Sequence, residues 1–130
     1  MKCLIHIVFI LTPLAILSQF QDNFSDGDFT INPTWQGDTD SFEIQNNRLW
    51  LNAPANTSKS YLVTTSNGTV SGEWEFYVEL AFNPSSANKA QVYLISDSNN
   101  LKGDLHGYFV MIGNSDDEIS LYKQSNSSKT

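Results

Sequence analysis

The chain has 130 residues, 40% of them hydrophobic and 12% aromatic, which is material for one domain with a core of its own. Seven Lys and Arg against fourteen Asp and Glu leave a net charge of −7 and a pI near 4.5. That balance argues against nucleic acid and against anionic membrane surfaces, since binding to either draws on cationic side chains. Cys3 is the sole thiol, so neither an internal disulfide nor a cysteine-based zinc site can form.

Met1 and Lys2 precede an uncharged apolar run, Cys3 to Leu17. The run is shorter than the roughly 20 residues a membrane span needs. It matches the apolar region of a secretory signal, with Ser18–Gln19 as the cleavage point. A buried N-terminal strand or helix is the competing reading. A lipid anchor does not fit, because Cys3 stands before the run and not at its end. Residues 1–18 are therefore expected to be a signal peptide and the mature chain to be secreted or at the cell surface, without a membrane span. Loss of Lys2 takes the mature charge to −8, and loss of Cys3 leaves a domain held by its core alone. Sequons begin at Asn23, Asn56, Asn67 and Asn126, but sequence rich in Asn and Ser produces these by chance.

From Phe24 onward, short runs of aromatic and β-branched residues alternate with Asn, Asp, Gly and Ser clusters. Strands are predicted at Ser41–Gln45, Arg48–Ala53, Ser60–Thr65, Glu73–Phe82, Ala90–Ser96, Gly107–Gly113 and Glu118–Lys123. Turns are predicted at Asn46-Asn47, Asn67-Gly68, Asn83-Pro84 and Gly113-Asn114. Asn46-Asn47 separates two alternating runs and reads as a two-residue hairpin. The strongest pattern is Glu73–Phe82, with Trp74, Phe76, Val78, Leu80 and Phe82 on one face as a predicted core row. A helix there would strand Phe76 and Leu80 on the wrong side and begin at Gly72 without a good cap. Trp35 is expected in the core as well. Residues 125–130 read as a polar tail or boundary with nothing apolar to bury. Strands at this spacing point to an all-β antiparallel sandwich or jelly roll.

The opening Asp22-Asn23-Phe24-Ser25-Asp26-Gly27-Asp28-Phe29, followed by Asn32-Pro33-Thr34-Trp35-Gln36-Gly37-Asp38, resembles the start of a concanavalin A-like, laminin-G-like jelly roll. Phe82-Asn83-Pro84-Ser85-Ser86, Tyr93-Leu94-Ile95-Ser96-Asp97, Gly107 to Gly113 and Asp116 to Lys123 continue the likeness. It spans roughly residues 22–124 and marks a scaffold without a catalytic site. The resemblance implies a domain of exported bacterial multidomain surface proteins, often ahead of a lamin-tail-like domain. Members of that family carry several further strands, so residues 19–124 are expected to be a partial sandwich, the N-terminal part of a larger protein.

Chemistry-bearing residues are sparse. Glu73, Glu75 and Glu79 share one strand phase, but a retaining glycosidase holds its carboxyls about 5–5.5 Å apart. Glu79 lies four residues past Glu75, about 13 Å along a strand, and Tyr77 stands between them. Glu73 and Glu75 alone could still form a pair. His106 is expected in a turn, and no Gly-x-Ser-x-Gly elbow accompanies it. Asp97 and Asp104, with Asp26 and Asp28, offer hard oxygens in loops; this leaves calcium open, against ordinary Asx turns. Trp50 and Tyr77 are out of phase with their apolar neighbours, and Arg48 and Glu75 share that outward phase, as an aromatic platform for carbohydrate would require. The reading is a non-catalytic exported binding or adhesion module for glycans or other extracellular ligands. A structural spacer domain and a fragment of a glycoside hydrolase are the alternatives.

Overall fold

The computed structural model describes residues 21–54, 58–66 and 72–130; the expected signal at 1–18 and the Asn67-Gly68 turn lie outside them. The described chain is almost wholly β, and every strand pair is antiparallel. Strand β1 (Gln36–Gly37) pairs with β4 (Leu62–Val63), and β2 (Phe42–Gln45) pairs with β3 (Arg48–Leu51). The largest sheet takes β5 (Lys89–Ser96), β6 (Leu105–Gly113), β7 (Glu118–Asn126) and β8 (Ser128–Lys129) in chain order.

Local chemistry explains the turns. Asn46 and Asn47 have φ of 52° and 58°, the doubly left-handed pair whose twist suits a two-residue hairpin. That turn fixes the register Glu43 opposite Trp50 and Gln45 opposite Arg48. Asp22, Asn23, Asp26 and Asp28 each accept the backbone N–H two residues on, so the N-terminal segment is a run of Asx turns. Gly113 has φ of 100°, and a Cβ there would stand 2.6 Å from Pro84 Cβ; only glycine allows that crossing.

The core lies under one face of the large sheet. Leu105, Phe109 and Met111 alternate along β6 and are buried, with Phe109 fully enclosed at 0% exposure. Register aligns Tyr93, Phe109 and Tyr122 across three strands, and their ring centres lie 4.9 and 5.3 Å apart. Gln124 is buried beside them. Tyr93 Oη donates to its Oε1 at 2.6 Å, and its Nε2 donates to the Asn126 carbonyl at 2.7 Å, so the amide is satisfied at both ends. The opposite face carries Ile95, Tyr108, Val110, Ile112, Ile119 and Leu121 by the same register. Ile119 is 75% exposed and Leu121 65%, and this face is bare among the described residues.

The structure corrects the strongest sequence pattern. Residues 73–82 form neither strand nor helix and have no ladder partner among the described residues. Trp74 is 44% exposed, Phe76 and Phe82 are similarly open, and only Val78 and Leu80 are half-buried. Alternation predicts which side chains could share a face; burial also needs an opposing layer, and here β6 has taken that place. Trp35 is half-buried, with its indole N–H donating to Asp22 at 2.7 Å. The predicted polar tail at 125–130 is also corrected. β7 runs on to Asn126, the chain reverses there with φ of 55°, and Ser128–Lys129 returns as β8. Mutual hydrogen bonds between Lys123 and Thr130, at 2.7 and 2.9 Å, close the ribbon without any apolar side chain.

Candidate functional site

The β2–β3 hairpin presents Glu43, Gln45, Arg48 and Trp50 on one face, because directly paired residues share a side. Gln45, Asn46, Arg48 and Trp50 line a shallow open cleft of about 310 Å³. Gln45 Nε2 donates to Glu43 Oε1, which fixes the amide along the floor of the ribbon. Trp50 is 45% exposed and forms the apolar wall.

The segment before β5 supplies partners for Arg48. Arg48 Nη1 donates to Glu79 Oε2 at 2.7 Å, and Tyr77 Oη donates to the same oxygen at 3.2 Å. The Arg48 guanidinium also lies 5.4 Å from the centre of the Tyr77 ring. Cation, carboxylate and phenol thus form one interlocked unit beside an exposed indole. Arg48 and Glu79 are both more than half exposed, so the bridge adds at most about 1 kcal/mol to stability. Its effect is positional: it holds a planar donor and an acceptor at fixed places next to an aromatic face.

Of the residues singled out in the sequence, Arg48, Trp50 and Tyr77 come together here. Glu75 is exposed, and no hydrogen bond or ion pair joins it to the cleft among the described residues. Glu79, Gln45 and Glu43 were missed. The hairpin register would have revealed Glu43 and Gln45, since Asn46-Asn47 fixes which residues oppose Trp50 and Arg48. Glu79 was read only as the misplaced third carboxylate of an acidic row.

The acidic candidates elsewhere have other roles. Asp97 accepts the His106 backbone N–H at 2.7 Å, and its second oxygen meets His106 Nδ1 at 3.0 Å. The His106 backbone N–H holds the Asp97 carboxyl below the usual carboxylate range. His106 therefore sits on β6 as an exposed strand residue, not in the turn expected for it. Asp104 lies just before β6, exposed and without a side-chain partner among the described residues. No group of three or more His, Cys, Asp and Glu side chains gathers among the described residues. No described helix is long and apolar enough to cross a membrane. Comparison with protein-family models, curated proteins and solved structures finds no match, so the cleft must be read from its own chemistry.

Proposed function

We propose that the chain is an exported, non-catalytic binding module whose hairpin cleft holds a saccharide ring. The observation that carries this is the Arg48–Glu79–Tyr77 unit fixed beside the exposed face of Trp50. A sugar offers an apolar C–H face and a rim of hydroxyls. An indole receives the first, while a guanidinium and a carboxylate donate to and accept from the second. The cleft is open and encloses little of a ligand, so affinity is modest. The chain hydrolyses nothing in this reading: Glu79 is bound to Arg48 and Tyr77.

The concanavalin A-like sandwich belongs to the same proposal. An antiparallel sheet with a covered aromatic face and a bare apolar face supports it, because sandwiches bury such a face under a second sheet. That bare face also supports a place as the N-terminal part of a larger surface protein.

A glycan array followed by titration of the best neutral oligosaccharide tests the binding reading. Trp50→Ala and Arg48→Ala should each weaken binding about tenfold or more, with Glu75→Gln unchanged. Binding indifferent to Trp50 and Arg48 would remove the site, and a folded chain that retains no glycan would replace the module by a spacer. Turnover of a β-glucan that is lost in Glu73→Gln/Glu75→Gln would overturn the non-catalytic assignment.

A further inference from the structure

The charges around the hairpin cleft are unequal, and they bear on which saccharide suits it. Two carboxylates, Glu43 and Glu79, stand on this side of the ribbon against the one guanidinium of Arg48. Arg48 is already engaged: it bonds Glu79 at 2.7 Å, so that pair carries no net charge. Glu43 is placed differently. It lies directly across the ladder from Trp50, while Gln45 lies across from Arg48. Directly opposed residues hold their Cβ atoms about 4.5–5.5 Å apart, and diagonal ones about 7–8 Å. The register therefore sets Glu43 beside the indole and Arg48 on its diagonal. Among the described residues no cation comes within ion-pair distance of Glu43, and its side-chain partner is the Gln45 amide. Because that amide turns its N–H to Glu43, its carbonyl oxygen is left as one more acceptor in the cleft wall.

The cleft thus combines an unneutralised carboxylate, a surplus of acceptors and an indole that is 45% exposed. An ammonium group suits all three: it pairs with the carboxylate, donates to the amide oxygen and is drawn to the indole face. A uronate ring would instead bring a second carboxylate against Glu43. We infer that the cleft selects a saccharide with free amino groups, an amino sugar in its ammonium form, over N-acetylated, neutral and acidic rings. This selectivity rests on the saccharide reading of the cleft and narrows its ligand class. Arg48, held by Glu79, still serves the ring hydroxyls, so neutral sugars bind more weakly and are not excluded.

The test titrates the full chain at low ionic strength with a glucosamine tetrasaccharide, its fully N-acetylated form, cellotetraose and tetragalacturonate. The glucosamine form should bind about three- to tenfold tighter than the N-acetylated form and cellotetraose, with tetragalacturonate weakest. Added salt should shrink that advantage. Glu43→Gln should bring the glucosamine form to within about twofold of cellotetraose, whereas Trp50→Ala should weaken both. Asp116→Asn/Asp117→Asn removes two charges from the β6–β7 turn and should keep the wild-type preference. Equal affinity for the glucosamine form and cellotetraose, a preference that survives Glu43→Gln, or an equal fall in Asp116→Asn/Asp117→Asn would overturn the selectivity and leave the saccharide cleft standing. A folded chain that binds none of the four would remove the cleft reading, and this inference with it.

Discussion

Truncating one side chain on each face of the large sheet separates a packed layer from an open one. Phe109 is fully enclosed, with Tyr93 and Tyr122 rings on either side and the Lys129 ammonium above it. Phe109→Ala removes the largest enclosed side chain and leaves a cavity that the neighbouring rings cannot fill, at a cost of about 3–5 kcal/mol. Two lost ring contacts place it toward the upper end, each being worth about 0.5–1.5 kcal/mol. Ile119 lies on the other face at 75% exposure, so only a quarter of its surface is buried and Ile119→Ala costs about 0.5 kcal/mol. Urea unfolding followed by circular dichroism reads both, as a fall in midpoint at constant m-value. In heat, Phe109→Ala should lower Tm by more than about 12 °C, and Ile119→Ala by a few degrees at most. Equal losses, or more than about 2 kcal/mol for Ile119→Ala, would show that the outer face is covered in solution and refute the assignment of the core.

Trp74→Ala should cost about 1–2 kcal/mol, clearly less than Phe109→Ala, since the indole is nearly half exposed; a cost matching Phe109→Ala would restore Trp74 to the core. The bare face should bind a hydrophobic dye, and Ile119→Lys/Leu121→Lys should abolish most of that binding and reduce aggregation; unchanged dye binding would place the apolar surface elsewhere. Lys102 holds the Asp38 carboxyl below the ordinary 3.8, and the His106 backbone N–H does the same for Asp97. Both carboxylates therefore contribute stability that is present above the unfolded value and is lost as pH falls through the lower folded value. Protection of the amides around Tyr61 and His106 against exchange, relative to the intrinsic rate at each pH, should fall below about pH 4, with a smaller change in Asp38→Asn/Asp97→Asn; pH-independent protection in the wild type would contradict the linkage. Mass spectrometry of exported chain should find Gln19 at the N-terminus, and soluble product retaining Met1 or Lys2 would exclude signal processing.

Local rules read well where one short-range cause dominates. Asn46-Asn47 tolerates positive φ at both positions, so its hairpin and the outward direction of Arg48 and Trp50 were legible in the sequence. β5, β6 and β7 were found for the same reason, through alternation bounded by turn residues. The row Trp74 to Phe82 failed because alternation reports potential burial, while actual burial depends on which layers meet. β8 escaped because backbone pairing in a polar ribbon leaves no hydrophobic signature; the reversal at Asn126 was its sole mark. Glu79 escaped because its partner Arg48 lies 31 positions away, a contact set by folding and not by local spacing.

The three tryptophans give the most direct test of the saccharide cleft, because Trp35, Trp50 and Trp74 occupy separate environments and each contributes one indole N–H resonance. A ¹⁵N-labelled chain titrated with the best oligosaccharide from the array should shift the Trp50 indole together with the Arg48 side-chain signal, leaving Trp35 in place. Saturation of the sugar with the Trp50 and Arg48 signals unmoved, or a shift confined to Trp35 or Trp74, would contradict the assignment of the hairpin cleft.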